Sequence, residues 1–230
     1  MEIIDGRALA QNVRENLKAE VEELKKDGII PKFAVILIGN DKASLTYVKS
    51  KNKACKELGI EYEEILLGEE TTMEELLDII DELNGRKDIS GILLQSPIPP
   101  HLDINEAFRR INPSKDVDGF NPYNVGKLCL NQDTFVSCTP YGIMKIFEAY
   151  DIPLDGKNAV VIGRSNIVGK PMSLSLLNRN ATVTICHSKT KNLKELTREA
   201  DIVIAAIGKK HFVTEDMIKE RSSCNRCRNK

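Results

Sequence analysis

Short apolar runs closed by glycine alternate along this chain with longer stretches of amphipathic, helical spacing, and that alternation admits few folds. The run "KFAVILIGN" is continuous, as a strand buried on both faces of a parallel sheet requires. Ahead of it, residues 7–26 place Leu9, Val13, Leu17, Val21 and Leu24 at helical spacing and stop at "KKDG". After it, "SLTYVKSKNKACKELG" reads as a helix with a Ser start and a Gly stop. Then "IEYEEILLG" is a strand, "TMEELLDIIDELN" a helix, and "ISGILLQSPIPP" a strand running into a proline-rich turn. Strand, helix, strand, helix, strand implies a parallel sheet with right-handed crossovers. Residues 111–138 are less regular, and "TPYGIMKIFEAY" leads away as a helix.

At "DIPLDGKN" the alternation pauses, and it restarts with "AVVIG", a helix, "TVTICHS", a helix and "DIVIAAIG". The expected class is α/β with two domains, 1–150 and 151–220, the second Rossmann-like. "FVTEDMIKE" starts a further helix that would lead to another strand, yet the tail 221–230 is basic and without aliphatic side chains, so no strand is expected there.

Hydrophobic residues make up 41% and charged residues 29% of the 230, too apolar for disorder. A net charge of −1 gives no footprint for nucleic acid or an anionic membrane. No apolar run reaches the length of a membrane span. "MEIIDGRALA" is acidic where a signal peptide is basic, so a cytoplasmic location is expected. Cys55, Cys129, Cys138 and Cys186 share no spacing and read as reduced, packed thiols. Cys224 and Cys227 form a single Cys-x-x-Cys, two ligands where a structural zinc site needs four, so no metal is expected.

In "AVVIGRSNIVGKP", Gly163 closes a buried strand and Gly169 lies near the start of the next helix. Small residues in such a turn let the backbone approach a pyrophosphate, and the free N–H groups of the helix start face its charge. Ser165 stands where the second glycine of G-x-G-x-x-G would be, so glycine spacing alone leaves a plain structural turn equally open. The next strand ends in His187, Ser188 and Lys189 with no carboxylate to hold ribose hydroxyls. Ser188, Lys189 and Arg164 suit an added 2′-phosphate, which favours NADP over NAD; His187 is given no catalytic role.

In the first half, "SLTYVKSK" puts Ser44, Tyr47 and Lys51 on one helical face, a spacing that by itself is most often a solvated face. Gln95 ends a parallel strand, where α/β sheets bind ligands, and Pro97 follows it. "PSKDVDGF" offers Asp116 and Asp118 in the next loop; an Asp beside a Gly is ordinarily a turn former, but Asp118 follows a strand end already carrying Gln95. Tyr-x-x-x-Lys after a serine is shared with short-chain dehydrogenases, but their nucleotide loop opens the chain and here the order is reversed.

Together "SLTYVKSK", "GILLQSPIP", "PSKDVDGFNPYNVGKL", "CTPYGIMKI" and "VVIGRSNIVGKPMSLSLLNRNATVTICHSKT" resemble the bifunctional methylenetetrahydrofolate dehydrogenase/methenyltetrahydrofolate cyclohydrolase family, from Ile4 to about Glu220. The resemblance implies that 1–150 binds the folate substrate and 151–220 binds NADP, with a cleft between them. It implies catalytic roles for Lys51, Tyr47, Gln95 and Asp118, and substrate contacts from Tyr47, Ser44, Gln95, Pro97 and Asp118. Lys51 would serve the chemistry with Gln95 assisting, Tyr47 would stack on the folate, and Asp118 would bond the pterin. Gly163, Arg164, Ser165, Gly169 and Ser188 would hold the cofactor. A lysine facing a cationic substrate in a cleft is expected to have its ammonium form disfavoured, which makes it a usable acid and base. The other readings are a crippled fragment that only binds NADP or folate, and another two-domain NADP enzyme of the shikimate dehydrogenase type.

In the family, the helix ending in "MIKE" is followed by a strand of the type Gly-Ala-Val-Val-Ile-Asp-Val-Gly. With permitted codons, removal of one base after Glu220 turns the tail into that strand. The expectation is a frameshift that truncates the second domain, leaves 221–230 an aberrant, disordered tail and leaves a sheet edge unpaired. The family pairs as homodimers through the second domain, so such damage puts the dimer of this chain in doubt.

Overall fold

The computed structural model describes residues 3–219 and 223–226. The chain forms two compact units, one spanning Asp5–Asn124 and one running from Val125 onward together with Ile3 and Ile4. The division comes earlier than the boundary expected near residue 151. The reason lies in α6 (Cys138–Ala149), whose Ile143, Met144 and Phe147 share one core cluster with Val161, Met172 and Ile204 of the second unit.

The first unit contains α1 (Gly6–Lys26), β1 (Lys32–Ile38), α2 (Lys42–Leu58), β2 (Glu61–Leu67), α3 (Met73–Gly85), β3 (Gly91–Leu94) and α4 (Ile104–Arg110). Its strands are parallel in the order β2-β1-β3, with Ile36 opposite both Ile65 and Leu94. Alternate residues of β1 serve two cores. Ala34, Ile36 and Ile38 pack under α3 and α4 with Leu76, Ile80 and Phe108. Val35 and Leu37 pack under α2 with Val48. Helix ends are set locally: Asp41 Oδ2 accepts from Ser44 N at 2.7 Å to start α2, and Gly59, at φ 77°, ends it. Because β2 and β3 flank β1, the chain leaves β1 and β3 in different directions. That is the place where an open α/β sheet takes a ligand.

The second unit holds α5 (Pro122–Cys129, which begins in the first), α6, β4 (Asn158–Ile162), α7 (Gly169–Leu177), β5 (Thr182–Cys186), α8 (Leu193–Glu199), β6 (Ile202–Ala205) and β7 (Ser223–Arg226). All pairs are parallel, in the order β5-β4-β6-β7.

Two expectations about the end of the chain are corrected. "FVTEDMIKE" makes only a 3-10 turn, Glu215–Met217, after which Ile218 is extended (φ −124°, ψ 148°). Phe212, Val213 and Ile218 pack on the core beside Val203, and that packing overrides the helical pattern. The tail, expected to be disordered, supplies β7, with Ser223 opposite Ile202 and Arg226 opposite Ala205. β6 is buried along its whole length, and without a neighbour it would present a row of unpaired N–H and C=O groups. Ladder bonds come from the main chain, so a polar sequence can make them. Cys227, and with it the Cys-x-x-Cys pair, lies outside the described residues. No described helix is long and apolar enough to cross a membrane.

Candidate active site

Lys51 and Gln95, 44 residues apart in sequence, meet: Lys51 Nζ donates to Gln95 Oε1 at 2.8 Å. Each is placed by its element. α2 buries Ser44, Val48 and Cys55 against the sheet, and Lys51, half-buried, leaves from the same side. Gln95 follows β3, and its N–H donates to Ile36 O at 2.9 Å, so its side chain starts where the sheet ends. The amide is also oriented. Gln95 Nε2 donates to Ser96 O at 2.7 Å, which leaves the oxygen end for the lysine. The Ser96–Pro97 peptide is cis and Pro97 is exposed.

The two aspartates of "KDVDG" have separate tasks. Asp116 is 2% exposed and its carboxylate accepts from Asn121 N and Asn124 Nδ2, both at 2.8 Å, and from Phe120 N at 3.3 Å. It pairs with Ile92 as an isolated parallel bridge, which fixes the turn against β3. Gly91 permits that approach, since a Cβ there would meet Val117 Cγ1 at 2.4 Å. Asp118, two residues on, is half-buried and interacts electrostatically with Lys51. Burial pushes its carboxyl up to about 6, the positive charge of Lys51 works against that rise, and Asp116 adds to it. The spacing Asp-x-Asp marks both residues and says nothing about which is the internal anchor; Asn121 and Asn124, which reveal it, were not singled out from sequence.

Tyr47 lies one turn before Lys51 with 45% of its surface exposed, an aromatic face open to a planar ligand. Ser44 is 2% exposed and faces inward at the start of α2. The half-buried lysine, fixed amide, raised carboxyl and open ring therefore belong to the carboxyl end of a single sheet.

In the second unit, the turn from β4 to α7 is built for close approach. Gly163 has φ 125°, and a Cβ there would lie 2.6 Å from Ala206 O; at Gly169 one would lie 2.3 Å from Gly163 O. Ser165 Oγ accepts from Val168 N at 3.1 Å and from Gly169 N at 3.3 Å, so its hydroxyl is engaged in starting α7. Arg164, Ser165 and Asn166 are exposed, as are Ser188 and Lys189 beyond β5. His187 turns inward on its own loop: its Nδ1 accepts from Lys189 N at 3.2 Å, and its N–H donates to Thr190 Oγ1 at 2.8 Å. Side chains crowded out by backbone, cations beyond β5 and no carboxylate at that strand's end fit a phosphorylated dinucleotide.

The sequence matches the family model for the tetrahydrofolate dehydrogenase/cyclohydrolase catalytic domain over residues 4–118, and the model for the NAD(P)-binding domain of the same family over residues 137–224. A relative from Campylobacter concisus, called bifunctional protein FolD, is 54% identical over 220 residues, covering 96% of this chain and 78% of its own. The crystal structure of the bifunctional methylenetetrahydrofolate dehydrogenase/cyclohydrolase FolD of Campylobacter jejuni superposes with a TM-score of 0.96 at 48% identity, over 97% of this chain and 80% of that one. The Trypanosoma brucei enzyme, solved with NADP cofactor and an inhibitor, gives 0.92 at 34% identity, over 97% and 77%.

Proposed function

Because this chain belongs to the tetrahydrofolate dehydrogenase/cyclohydrolase family, we propose that Lys51 is the acid and base of its chemistry. On this reading Gln95 holds the amine in place, Asp118 binds the pterin and Tyr47 stacks on the folate. The protein is an enzyme of one-carbon folate metabolism. It oxidises 5,10-methylenetetrahydrofolate to the 5,10-methenyl form with NADP, and hydrolyses that cation to 10-formyltetrahydrofolate.

The observation that carries the assignment of roles is the Lys51–Gln95 hydrogen bond, with the half-buried Asp118 carboxyl interacting with the lysine. In the hydrolysis, water adds to the methenyl carbon and loses one proton; the departing ring nitrogen must then gain one, while the remaining hydroxyl proton leaves to solvent as the formyl carbonyl forms. Lys51 Nζ can take the first proton and return the second, since Gln95 Oε1 holds it at one point of the site. Asp118, with its carboxyl near 6, can offer either a proton or a lone pair to the pterin's N–H and carbonyl edge. Tyr47 presents its open ring to the flat part of the substrate. Pro97, exposed beside Gln95, adds to the proposed substrate contacts, whereas Ser44, expected among them, is buried at the start of α2.

The chemistry that NADP supplies when bound is acceptance of a hydride from the methylene carbon. Gly163, Arg164, Ser165, Gly169 and Ser188 would hold it, with Arg164 and Ser188 suited to the 2′-phosphate. Pairing of two chains through the second unit belongs to the same proposal. β5 is an edge strand with Ile185 42% exposed, the kind of edge a second copy can cover. Light scattering of the purified chain checks it. The cytoplasm suits the free thiols of Cys55, Cys129 and Cys186.

Lys51→Met is the test. Hydrolysis of methenyltetrahydrofolate should fall at least ~100-fold, while the dissociation constant for NADP stays at the wild-type value. A mutant that hydrolyses at the wild-type rate removes Lys51 from the chemistry.

A further inference from the structure

We infer that Ser137 is a positioning residue for cofactor binding, acting through the turn between β4 and α7; the inference rests on the reading of residues 163–169 as the NADP cradle. Ser137 occupies the N-cap position of α6, where a serine ordinarily turns its hydroxyl back onto the N–H groups of its own helix. Here it makes no such cap bond. Its hydroxyl donates instead to Ile167 O at 2.6 Å, 30 residues away, and the side chain is buried at 4% exposure.

The rest of the turn explains what this bond does. At one end, Gly163 N donates to Cys186 O at 2.8 Å. At the other, Ser165 Oγ gathers Val168 N and Gly169 N, and Lys170 N donates to Ser165 O at 3.0 Å. Those contacts come from the turn itself and from β5. The middle residues Arg164, Asn166 and Ile167 are exposed. Ser137 reaches that middle from another helix.

The helix is a firm support. Ile143, Met144 and Phe147 of α6 share a core with Val168, Met172 and Leu176, which continue from the turn into α7. A hydrogen bond from such a support holds the Ile167 peptide in one orientation, and with it the exposed Arg164 side and the N–H groups opening α7. Without it, the turn must pay part of the cofactor's binding energy to reach the same arrangement.

The two reactions of the protein provide the control, since hydrolysis of the methenyl cation uses no redox cofactor. For Ser137→Ala the expected result is a KM and a dissociation constant for NADP raised about tenfold, the effect of losing one buried hydrogen bond, with dehydrogenase kcat within about twofold. The ratio of dehydrogenase to cyclohydrolase kcat/KM should fall by the same factor. Ser137→Thr keeps the hydroxyl and should restore NADP affinity. An unchanged NADP KM in Ser137→Ala overturns the inference. So does an equal loss of both activities with a lower melting temperature, which marks a residue that only supports the fold. A wild-type protein with no affinity for NADP overturns the cradle itself, and the role of Ser137 with it.

Discussion

Asp118, proposed to bind the pterin, works against stability at neutral pH. Its carboxyl is raised from 3.8 to about 6, chiefly by burial, against the pull of Lys51 and with the push of Asp116. The folded state then binds a proton that the unfolded chain releases between those values. Stability therefore falls as pH rises from about 4 to about 6 and stays lower above that, by on the order of 3 kcal/mol for a shift of this size. Asp118→Asn removes the charge. Its melting temperature at pH 7.5 should equal or exceed that of the wild type, the gap should close by about pH 4, and folate binding should be lost. Melting curves across that range check it, and a mutant less stable than wild type at pH 7.5 would mean that the charge is more than compensated. Residue-level features were legible where periodicity projects them: Lys51 from its helical face, Gln95 from its strand end. The family resemblance singled out Asp118, but the anchoring role of Asp116 was not legible, because it rests on Asn121 and Asn124 folding back on the loop. The Ser137 bond was invisible for the same reason, since a loop carbonyl leaves no mark in the sequence.

At the scale of elements, α3 shows a helix finished by a residue far from it. Its start is local: Thr72 and Glu75 form a capping box, with Glu75 N donating to Thr72 Oγ1 at 3.2 Å and Thr72 N to Glu75 Oε2 at 2.8 Å. Its last turn has no basic residue of its own. Lys115 supplies the charge, donating from Nζ to the carbonyls of Leu83, Asn84 and Arg86 at 2.8, 2.9 and 2.6 Å. Lys115→Met keeps much of the stem's bulk and strands three carbonyls, so urea unfolding should show a loss of about 1–3 kcal/mol. A mutant as stable as wild type would mean that water replaces the ammonium. The lysine also leads directly into the aspartate turn, as Ile92 N donates to Lys115 O at 2.7 Å. Strands such as Lys32–Ile38 and Gly91–Leu94 could be read from continuous apolar runs. α4 and α5 could not, being short and set in a stretch of mixed turns. Nor could β7, because what selects it is the bonding need of β6 rather than its own side chains.

The molecule as a whole has separate cores in its two units, and this lets the contribution of β7 be measured on its own. Clusters around Ile36 and Val35 belong to the first unit, and those around Val161 and Val203 to the second. Ending the chain after Lys219 removes β7 and turns β6 from an inner strand into an edge. The consequence reaches the turn proposed to cradle the cofactor, because Gly163 lies against the backbone of Ala206 just beyond β6. Net main-chain hydrogen bonds contribute about 1 kcal/mol each, and a unit of this size loses roughly 4–8 °C of melting temperature per kcal/mol. The shortened protein should therefore show the second unit melting several degrees lower, at about that rate per lost bond, with weaker protection by NADP and more light scattering from the open edge. The transition of the first unit should stay in place. Equal melting of both forms, with NADP protection intact, would show that the polar strand adds nothing and that β6 tolerates an open side. A lower transition for the second unit alone would show that four residues without an aliphatic side chain among them stabilise a sheet through their backbone.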